Sequence, residues 1–322
     1  RGLKMSLKHR LVIADKEQLE TKTKEMLKNF FKISHFKGNT QELMSFLKDG
    51  DFLWIRLEHY LDQPFFSKCP NIRCILTNTT GLTHINEEMA AKRKIKIFNL
   101  NPEDKLLDQI SSTSDHSVGL FYNLVRNINL ATHDVSKGNW DRSKFKGRQI
   151  DSLTIGIIGF GRVGKKINSQ LKYSVKGVLF FDVEEVSFPN DQLNLEKVSN
   201  LGNLLSRSDV IFICTKEQDN RVSVVNKDNI NKIKKGAYLI NTSRGSLMDF
   251  DACYQALLEN NLSGLAIDVY EGEERGHMLH KSVLNSVYKH NLIITPHLAG
   301  NTKEAWELSE KVVAEKLINF IN

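Results

Sequence analysis

The chain has 322 residues, with 45 Lys and Arg against 38 Asp and Glu, a net charge of +7, and 40% hydrophobic residues. This composition is typical of a globular protein of about two domains, and it excludes collagen-like and intrinsically disordered chains. No apolar run approaches the roughly 20 residues of a membrane span. The lysines are spread along the chain rather than gathered into the patch that nucleic-acid binding needs. We therefore expect no membrane or nucleic-acid partner.

The N-terminal stretch 1–15 is basic, but its apolar part ends at Asp15 and is too short for a secretory signal. The four cysteines are scattered, and none has a neighbour at the spacing of a zinc site. We therefore expect reduced thiols, no metal and a cytoplasmic location. The cysteines are Cys69, Cys74, Cys214 and Cys253.

Short apolar segments alternate with helical patterns in the first third of the chain. Helical spacing predicts a helix over 18–31, and a second pattern predicts one long helix over 114–131. Strands that alternate with helices indicate a parallel sheet with helices on its faces. The strands predicted in this region are 10–15, 52–57, 72–77 and 95–100.

The segment 153–164 carries the strongest motif in the chain. An apolar strand pattern, LTIGII, runs directly into G-F-G-R-V-G, and a helical pattern follows. In this context Gly159 allows the tight turn, Gly161 lets the backbone approach a pyrophosphate, and Gly164 lets helix and strand pack closely. The helix N-terminus offers free N–H groups to the phosphates. The motif therefore predicts a dinucleotide site.

The next predicted strand, 177–181, ends at Asp182. A carboxylate at this point can accept hydrogen bonds from both hydroxyls of the adenosine ribose. A 2′-phosphate would be repelled by Asp182 and by the neighbouring Glu184 and Glu185. We therefore predict NAD rather than NADP as the cofactor.

Four further apolar segments follow, and with the first two they predict a six-stranded doubly wound parallel sheet. Ligands in such a sheet bind beyond the carboxyl ends of the strands, so the side chains at those ends are the candidates for chemistry. The four segments are 209–215, 237–242, 264–269 and 292–295.

Three of these strands are followed by an arginine, a carboxylate and a histidine. Arg244 can hold a substrate carboxylate and polarise the adjacent carbonyl. His297 can move a proton near neutral pH, and a carboxylate bonded to it would orient the ring. Asp268 lies at the end of its strand, and beyond it Glu271 and Glu273 remain alternatives for the carboxylate that pairs with the histidine. Hydride transfer to a keto acid requires one group of each kind.

The chain resembles the D-isomer-specific 2-hydroxyacid dehydrogenases, a family that includes D-lactate, D-glycerate and D-3-phosphoglycerate dehydrogenases. The similar stretches occur in the family's order and cover most of residues 79–302. They are TTGLTHIN (79–86), SDHSVGLFYNLVRNI (114–128), GNWDRSKFKG (138–147), GIIGFGRVG (156–164), INTSRGSLMD (240–249), GLAIDVYEGEE (264–274) and ITPHLAGNT (294–302).

The resemblance implies roles position by position. Arg244 matches the substrate-binding arginine, Glu273 the acid that pairs with the histidine, and His297 the acid/base, so these three are the predicted catalytic residues. Asp268 is similar to the family's contact to the nicotinamide carboxamide, and Arg56 to a position that touches the distal end of the substrate. The predicted substrate contacts are Arg56, Arg244 and the loop Thr80, Gly81 and Leu82, whose backbone N–H groups hold the carboxylate. The predicted cofactor contacts are Gly159, Gly161, Arg162, Val163, Gly164, Asp182, Thr215, Thr242, Ser243, Asp268 and His297.

The resemblance also implies an α/β fold of two Rossmann-like, doubly wound parallel-sheet domains. A discontinuous, flavodoxin-like substrate (catalytic) domain is expected from 1–113 and 299–322, and an NAD-binding Rossmann domain from 114–298. The active site is expected in the cleft between them. A homodimer that uses the 114–131 helix of the NAD-binding domain is expected by resemblance alone.

The sequence departs from the family pattern at three positions. Ile213-Cys214-Thr215 stands where His-x-Pro is frequent, which leaves the cofactor contacts there open. Asp115 replaces the usual glutamate, and Glu274 replaces the proline that commonly follows the catalytic glutamate. None of these departures removes a reacting group.

We therefore predict an oxidoreductase, an NAD-dependent D-2-hydroxyacid dehydrogenase that acts on the CH–OH group of its donor. It would interconvert a 2-keto acid and a D-2-hydroxy acid by hydride transfer. The alternative is an NAD(H)-sensing binding protein, comparable to the family's transcriptional corepressors. Pyruvate-like acids, glyoxylate, hydroxypyruvate and phosphorylated acids all remain open as substrates.

Overall fold

The structure, a computed structural model, describes residues 9–101, 103–188, 194–217 and 222–321. Residues 1–8 of the basic N-terminal stretch therefore lie outside the described residues. The chain divides into two compact units. Unit 1 comprises 1–110, 274–276 and 301–322, and unit 2 comprises 111–273 and 277–300.

Unit 1 contains a five-stranded parallel sheet. Its strands are β1 (His9–Ala14), β2 (Phe31–Phe36), β3 (Phe52–Ile55), β4 (Cys74–Thr77) and β5 (Lys96–Phe98), in the order β2-β1-β3-β4-β5. Its helices are α1 (Thr21–Lys28), α2 (Thr40–Phe46), α3 (Gln63–Lys68), α4 (Glu87–Lys92) and α11 (Lys303–Ile321). This strand order is the flavodoxin-like one, and β1 and β3 flank the point where the order reverses.

Both faces of the unit 1 sheet are buried, as the near-continuous apolar strands require. On one face, Leu11, Trp54 and Leu76 pack with Val313 and Leu317 of α11. The opposite face packs against α2 to α4. The last helix of the chain therefore completes the core of the first unit.

The helix predicted over 18–31 is shorter in the structure, and the strand β2 that follows it was not expected. The helix ends at Lys28 and β2 begins at Phe31. β2 is an edge strand in which Phe31 alone is buried, so its sequence, FKISHF, carries little of the apolar signal that marks a central strand.

Unit 2 contains a seven-stranded parallel sheet in the order β12-β11-β10-β9-β6-β7-β8. The strands are β6 (Thr154–Ile158), β7 (Gly177–Phe181), β8 (Leu195–Lys197), β9 (Val210–Ile213), β10 (Ala237–Asn241), β11 (Leu262–Ile267) and β12 (Leu292–Ile294). The helices are α5 (Ser112–Arg126), α6 (Ile128–Ser136), α7 (Arg162–Leu171), α8 (Leu201–Arg207), α9 (Phe250–Leu258) and α10 (Lys281–Leu284). The order reverses between β6 and β9, which places the glycine turn after β6 at the switch point.

Two predictions for unit 2 need correction. The sheet has seven strands rather than six, because the three residues of β8 pair with β7 at the edge. The predicted helix 114–131 is broken into α5 and α6 by Asn127, whose φ of 54° is left-handed. Asparagine tolerates this conformation better than most residues. None of the helices within the described ranges is long and apolar enough to cross a membrane.

Candidate active site

The three glycines of the turn between β6 and α7 have different surroundings. Gly159 has a φ of 90°, and a Cβ there would lie 2.6 Å from the backbone nitrogen of Thr215. A Cβ on Gly164 would lie 2.4 Å from the carbonyl oxygen of Gly159, so helix and strand could not approach as they do. A Cβ on Gly161 would meet nothing within 4 Å, because it would point into open space. That open space is what a pyrophosphate requires.

The surroundings of the turn fit a dinucleotide. Gly161 is the N-cap of α7, and no side chain caps this helix, so its first N–H groups and its partial positive charge remain available to an anion. Arg162 and Val163 are half-buried in the first turn. The Asp182 carboxylate accepts hydrogen bonds from the backbone N–H groups of Phe160 (2.6 Å) and Glu184 (3.0 Å). Its remaining lone pairs can accept the hydroxyls of a ribose.

The end of β9 lies against this turn. Cys214 donates its backbone N–H to Ile158 (2.7 Å), and Thr215 packs on Gly159. Burial raises the pKa of the Cys214 thiol to about 12, so this side chain stays protonated and unreactive. Lys216 forms an exposed ion pair with Glu184 at 2.8 Å.

Arg244 follows β10 in a segment that hydrogen bonds hold in place. The Asn241 amide donates to the Arg244 carbonyl (2.9 Å), and the Ser243 hydroxyl donates to the Ile213 carbonyl (2.8 Å). A Cβ on Gly245 would lie 2.2 Å from the backbone nitrogen of Glu271, so this glycine lets the arginine segment pack directly on the loop after β11. Thr242, which is buried, shares a 2.7 Å hydrogen bond with Ser117 of α5.

Two carboxylates act electrostatically on the guanidinium of Arg244. Burial lowers its pKa, and the negative charges of Glu217 and Glu273 oppose that effect. Arginine remains charged under such conditions. The guanidinium donates to the carbonyl of Ser243 at 2.6 Å, which leaves further N–H groups for a ligand. The site therefore presents a fixed, half-buried positive charge.

His297 and Glu273 form the expected couple. The Nδ1 atom of His297 lies 2.6 Å from Oε1 of Glu273, whereas Glu271 is exposed and has no such contact among the described residues. Because the carboxylate occupies Nδ1, the Nε2 atom is the ring nitrogen available for proton transfer to a ligand. Of the two carboxylates that the spacing left open, Glu273 rather than Glu271 is therefore the one hydrogen-bonded to His297.

The backbone of His297 is left-handed, with a φ of 52°. Its N–H donates to the carbonyl oxygen of Asp268 (2.8 Å), and the Asp268 carboxylate accepts the N–H groups of Leu298 (2.9 Å) and Ala299 (2.8 Å). A strained conformation persists only where its surroundings hold it, and here Asp268 does so.

Asp268 is completely buried and has a further set of donors. The Thr295 hydroxyl donates to it (2.6 Å), and His116 of α5 lies 3.1 Å from that hydroxyl and 3.5 Å from the carboxylate. Burial by itself would raise the pKa of Asp268, but the hydrogen bonds from His116, Thr295 and the backbone outweigh it and lower the pKa. The implied contact of Asp268 with the nicotinamide carboxamide stays a prediction, since the structure supplies its carboxylate with partners from the chain itself.

The predicted substrate residues of unit 1 follow β3 and β4. Thr80, Gly81 and Leu82 form a loop after β4, with Thr80 exposed and the other two half-buried. Their backbone N–H groups have no hydrogen-bond acceptor within the described parts of the chain. Successive free N–H groups of this kind make an anion-binding surface.

The guanidinium of Arg56, which is predicted to touch the distal end of the substrate, is held by contacts within unit 1. The guanidinium lies 2.8 Å from Asp15 and 2.5 Å from Glu310, and it stacks 4.0 Å from the centre of the Trp306 ring. The residue is 8% exposed. Its contact with the distal end of a substrate stays a prediction, and the geometry gives the guanidinium a structural role in unit 1.

Sequence reasoning missed two residues of the unit 2 site. His116 lies in the stretch SDHSVGL, which was noted for its resemblance but not for chemistry. The negative charge of Glu217 acts on Arg244, and Glu217 accepts a hydrogen bond from Ser246 (2.6 Å). Both are separated in sequence from their partners, so no local motif could have identified them.

Comparison with known proteins gives a consistent result. Residues 118–299 match the family model described as "D-isomer specific 2-hydroxyacid dehydrogenase, NAD binding domain". A glyoxylate reductase from Thermofilum pendens is 30% identical over 289 residues, which cover 86% of this chain and 80% of that protein. A D-3-phosphoglycerate dehydrogenase from Methanocaldococcus jannaschii is 27% identical over 278 residues, which cover 86% of this chain but 51% of that protein. The chain thus spans about half the length of that relative.

A solved structure extends the likeness to the whole fold. The D-lactate dehydrogenase of Aquifex aeolicus, in complex with NAD and lactic acid, has a TM-score of 0.79 to this chain and is 26% identical. The match covers 97% of this chain and 95% of that one. Both parallel-sheet units therefore have counterparts in that protein.

Proposed function

Because this chain belongs to the D-isomer-specific 2-hydroxyacid dehydrogenase family, we propose that it is an NAD-dependent oxidoreductase that interconverts a 2-keto acid and a D-2-hydroxy acid. One observation carries the proposal. The imidazole of His297 is hydrogen-bonded to Glu273 at 2.6 Å, and the charge of Glu273 also acts on the guanidinium of Arg244. An acid/base couple beside a carboxylate-binding cation is what this reaction requires.

The cofactor is NAD, in keeping with the family. When bound, NAD accepts a hydride from the hydroxy acid, and NADH returns it to the keto acid. Gly161 and the N-terminus of α7 would hold the pyrophosphate, and Asp182 would bind the adenosine ribose. The Asp182 carboxylate would repel a 2′-phosphate, although the Lys216–Glu184 pair reduces the negative charge beside it.

Each catalytic residue has a distinct task in the proposal. Arg244 pairs with the substrate carboxylate and polarises the C2 carbonyl. His297 donates a proton from Nε2 to the C2 oxygen during reduction and removes it during oxidation, while Glu273 keeps the ring oriented. The N–H groups of Thr80, Gly81 and Leu82 bind the carboxylate. A substrate-binding role for unit 1 and an NAD-binding role for unit 2, which also carries Arg244 and His297, are part of the same proposal.

We also propose a homodimer formed through unit 2 and a cytoplasmic location. Within α6 no described residue is buried, and Ile128, Val135 and the nearby Trp140 expose apolar surface. All four cysteines are free thiols, which suits a reducing compartment. A corepressor-like sensor remains the other reading of the fold, but none of the relatives named above favours it.

The test is a panel of keto acids, namely glyoxylate, pyruvate, hydroxypyruvate and 3-phosphohydroxypyruvate, assayed with NADH and with NADPH by loss of reduced-nicotinamide absorbance. We expect turnover with NADH in preference to NADPH. Replacing His297 with Ala should lower kcat by about 10²–10⁴-fold, because the proton donor is lost, while NADH affinity stays as in the wild type. Tight NADH binding without turnover of any acid would instead support the sensor.

A further inference from the structure

Two peptide groups at the loop Thr80–Leu82 are held by hydrogen bonds to their carbonyl oxygens, which belong to Thr79 and Gly81. The Thr79 carbonyl accepts the N–H of Leu100 (3.1 Å), and the Gly81 carbonyl accepts the hydroxyl of Thr79 (2.8 Å). No peptide bond in the described chain is cis, and in a trans peptide the C=O and the following N–H point in opposite directions. The N–H groups of Thr80 and Leu82 are therefore turned away from these anchors.

The anchor on Gly81 is the end of a longer chain of hydrogen bonds. The Thr79 hydroxyl lies 3.1 Å from the Thr77 hydroxyl, and the Thr77 hydroxyl lies 3.3 Å from Nε2 of His84. His84 and Thr77 are completely buried, so water does not compete for these groups. These hydrogen bonds thus link the buried imidazole of His84, through Thr77 and Thr79, to the carbonyl of Gly81.

The direction of each hydrogen bond in this series follows from its last acceptor, the Gly81 carbonyl. A carbonyl oxygen can only accept, so Thr79 donates its single hydroxyl proton to Gly81. Thr79 must then accept from Thr77, and Thr77, having donated its own proton, must accept from His84. The proton of His84 therefore resides on Nε2.

We infer that His84 is a positioning residue for the carboxylate-binding loop. Through the hydroxyls of Thr77 and Thr79 it holds the Gly81 carbonyl inward, and so keeps the Leu82 N–H turned outward to bind an anion. This inference rests on the proposed function in one respect, which is that the anion is the carboxylate of a 2-keto acid. His84 does not touch the substrate, and its effect is on affinity rather than on the chemical step.

Two variants interrupt this series of hydrogen bonds at different points. His84→Leu removes the first donor, and Thr79→Val removes the last hydroxyl while keeping the shape of the side chain. We expect each to raise KM for the keto acid by about tenfold, the equivalent of one lost neutral hydrogen bond. The value of kcat and the affinity for NADH should remain close to those of the wild type. His84→Gln, whose amide can donate from a similar place, should restore most of the affinity.

The kinetic results can overturn the inference in two ways. If Thr79→Val leaves KM unchanged, the Gly81 anchor does not matter for binding. If His84→Gln is no better than His84→Leu, or if kcat and NADH affinity fall together with KM, His84 serves the fold in general. Because Thr79→Val keeps the volume of the side chain, it decides the matter even where His84→Leu folds poorly.

A second measurement is independent of activity. Long-range ¹H–¹⁵N NMR of the wild-type protein, with His84→Gln to assign the signal, reports which imidazole nitrogen carries the proton. We expect the proton on Nε2, and a proton on Nδ1 alone would contradict the hydrogen-bond chain. If the wild type reduces no keto acid, the proposed function fails, and the NMR result still decides whether His84 holds the loop.

Discussion

At the scale of a single residue, Asp268 acts on the site through the backbone that follows it. Its carboxylate is fully buried and accepts the N–H groups of Leu298 and Ala299 as well as the Thr295 hydroxyl. These bonds fix the turn on which His297 adopts its left-handed conformation. An ionised carboxylate with several donors is more strongly bound than a neutral acceptor would be.

Replacing Asp268 with Asn should therefore loosen the turn that carries His297. An amide has one acceptor oxygen, and its NH₂ group would face donors. We expect kcat to fall roughly 10–100-fold, the cost of a charge-assisted hydrogen bond that is no longer made. Steady-state kinetics would measure this, with Glu271→Gln, on the exposed neighbour of the loop, as the control that keeps wild-type activity. Wild-type kcat in Asp268→Asn would contradict the role given to the carboxylate.

The same variant has a pH signature. Because folding lowers the pKa of Asp268 below its ordinary value of 3.8, the carboxylate stabilises the fold above that value and loses this contribution as the pH falls through the folded-state pKa. The wild type should exceed Asp268→Asn in free energy of unfolding at neutral pH. Urea denaturation at decreasing pH should show that difference becoming smaller.

The residues of the site could be predicted from sequence where a strand end supplied them. Arg244 and His297 follow β10 and β12, and the rule for open α/β sheets identifies such positions without further information. The choice of Glu273 over Glu271 needed either the family resemblance or the structure. His116 lies 179 positions from its partner Thr295, and such a contact depends on how α5 packs on the sheet.

At the scale of the element, the turn from β6 to α7 shows two different reasons for a glycine, namely close packing within the protein and space for a ligand. Gly164 is needed by the protein itself, because a Cβ would lie 2.4 Å from a backbone oxygen. Gly161 is not needed by the protein, because its backbone φ of −78° suits any residue and its Cβ would enter empty space. We therefore expect that the fold requires Gly164 and that the bound cofactor requires Gly161.

A matched pair of alanine variants tests this distinction. Gly164→Ala should lower the free energy of unfolding by about 1–3 kcal/mol, as expected for overpacking. Gly161→Ala should change stability by less than about 1 kcal/mol and weaken NADH binding by about tenfold or more, a loss of about 1.4 kcal/mol or more. Urea denaturation and fluorescence titration with NADH measure the two effects. Equal loss of stability in both variants would contradict the assignment of Gly161 to the ligand.

Elements with a strong apolar pattern could be predicted from sequence, and weak ones could not. The central strands β6, β9 and β10 are buried over nearly their whole length, and their patterns are continuous. β2 and β8 lie at sheet edges, where one side of the backbone has no neighbouring strand and few side chains are buried. The break at Asn127 was missed because apolar spacing continues across it.

At the scale of the whole molecule, the two sheets differ in what lies at the point where the strand order reverses. In unit 2 the switch point carries the glycine turn and remains open to a ligand. In unit 1, Asp15 and Arg56 directly follow β1 and β3, and together with Glu310 they fill the corresponding position with a buried ion cluster. Closely related sheet topologies thus serve a cofactor in one unit and internal stability in the other.

The proposed dimer is a prediction at this same scale. Sedimentation should give a mass of twice the 36.8 kDa of one chain. Trp140→Ala should weaken the dimer, because Trp140 is the most exposed apolar side chain in the α5–α6 region. Tyr173→Ala is the matched control, since Tyr173 is equally exposed, at 88%, on the turn after α7. A wild-type protein that sediments as a monomer at micromolar concentration would rule out the proposal.

The discontinuity of unit 1 has a consequence for how the chain acquires its structure during translation. Val312, Val313 and Leu317 of α11 belong to the same core as Leu11 and Trp54, and Glu310 neutralises Arg56 there. The strands of unit 1 must leave the ribosome with one face of their sheet uncovered, and with Arg56 paired to Asp15 but not yet to Glu310. Unit 2 is a continuous stretch interrupted only by residues 274–276, which belong to unit 1, and it can fold meanwhile. Although most of unit 1 precedes unit 2 along the chain, unit 1 is thus completed after unit 2.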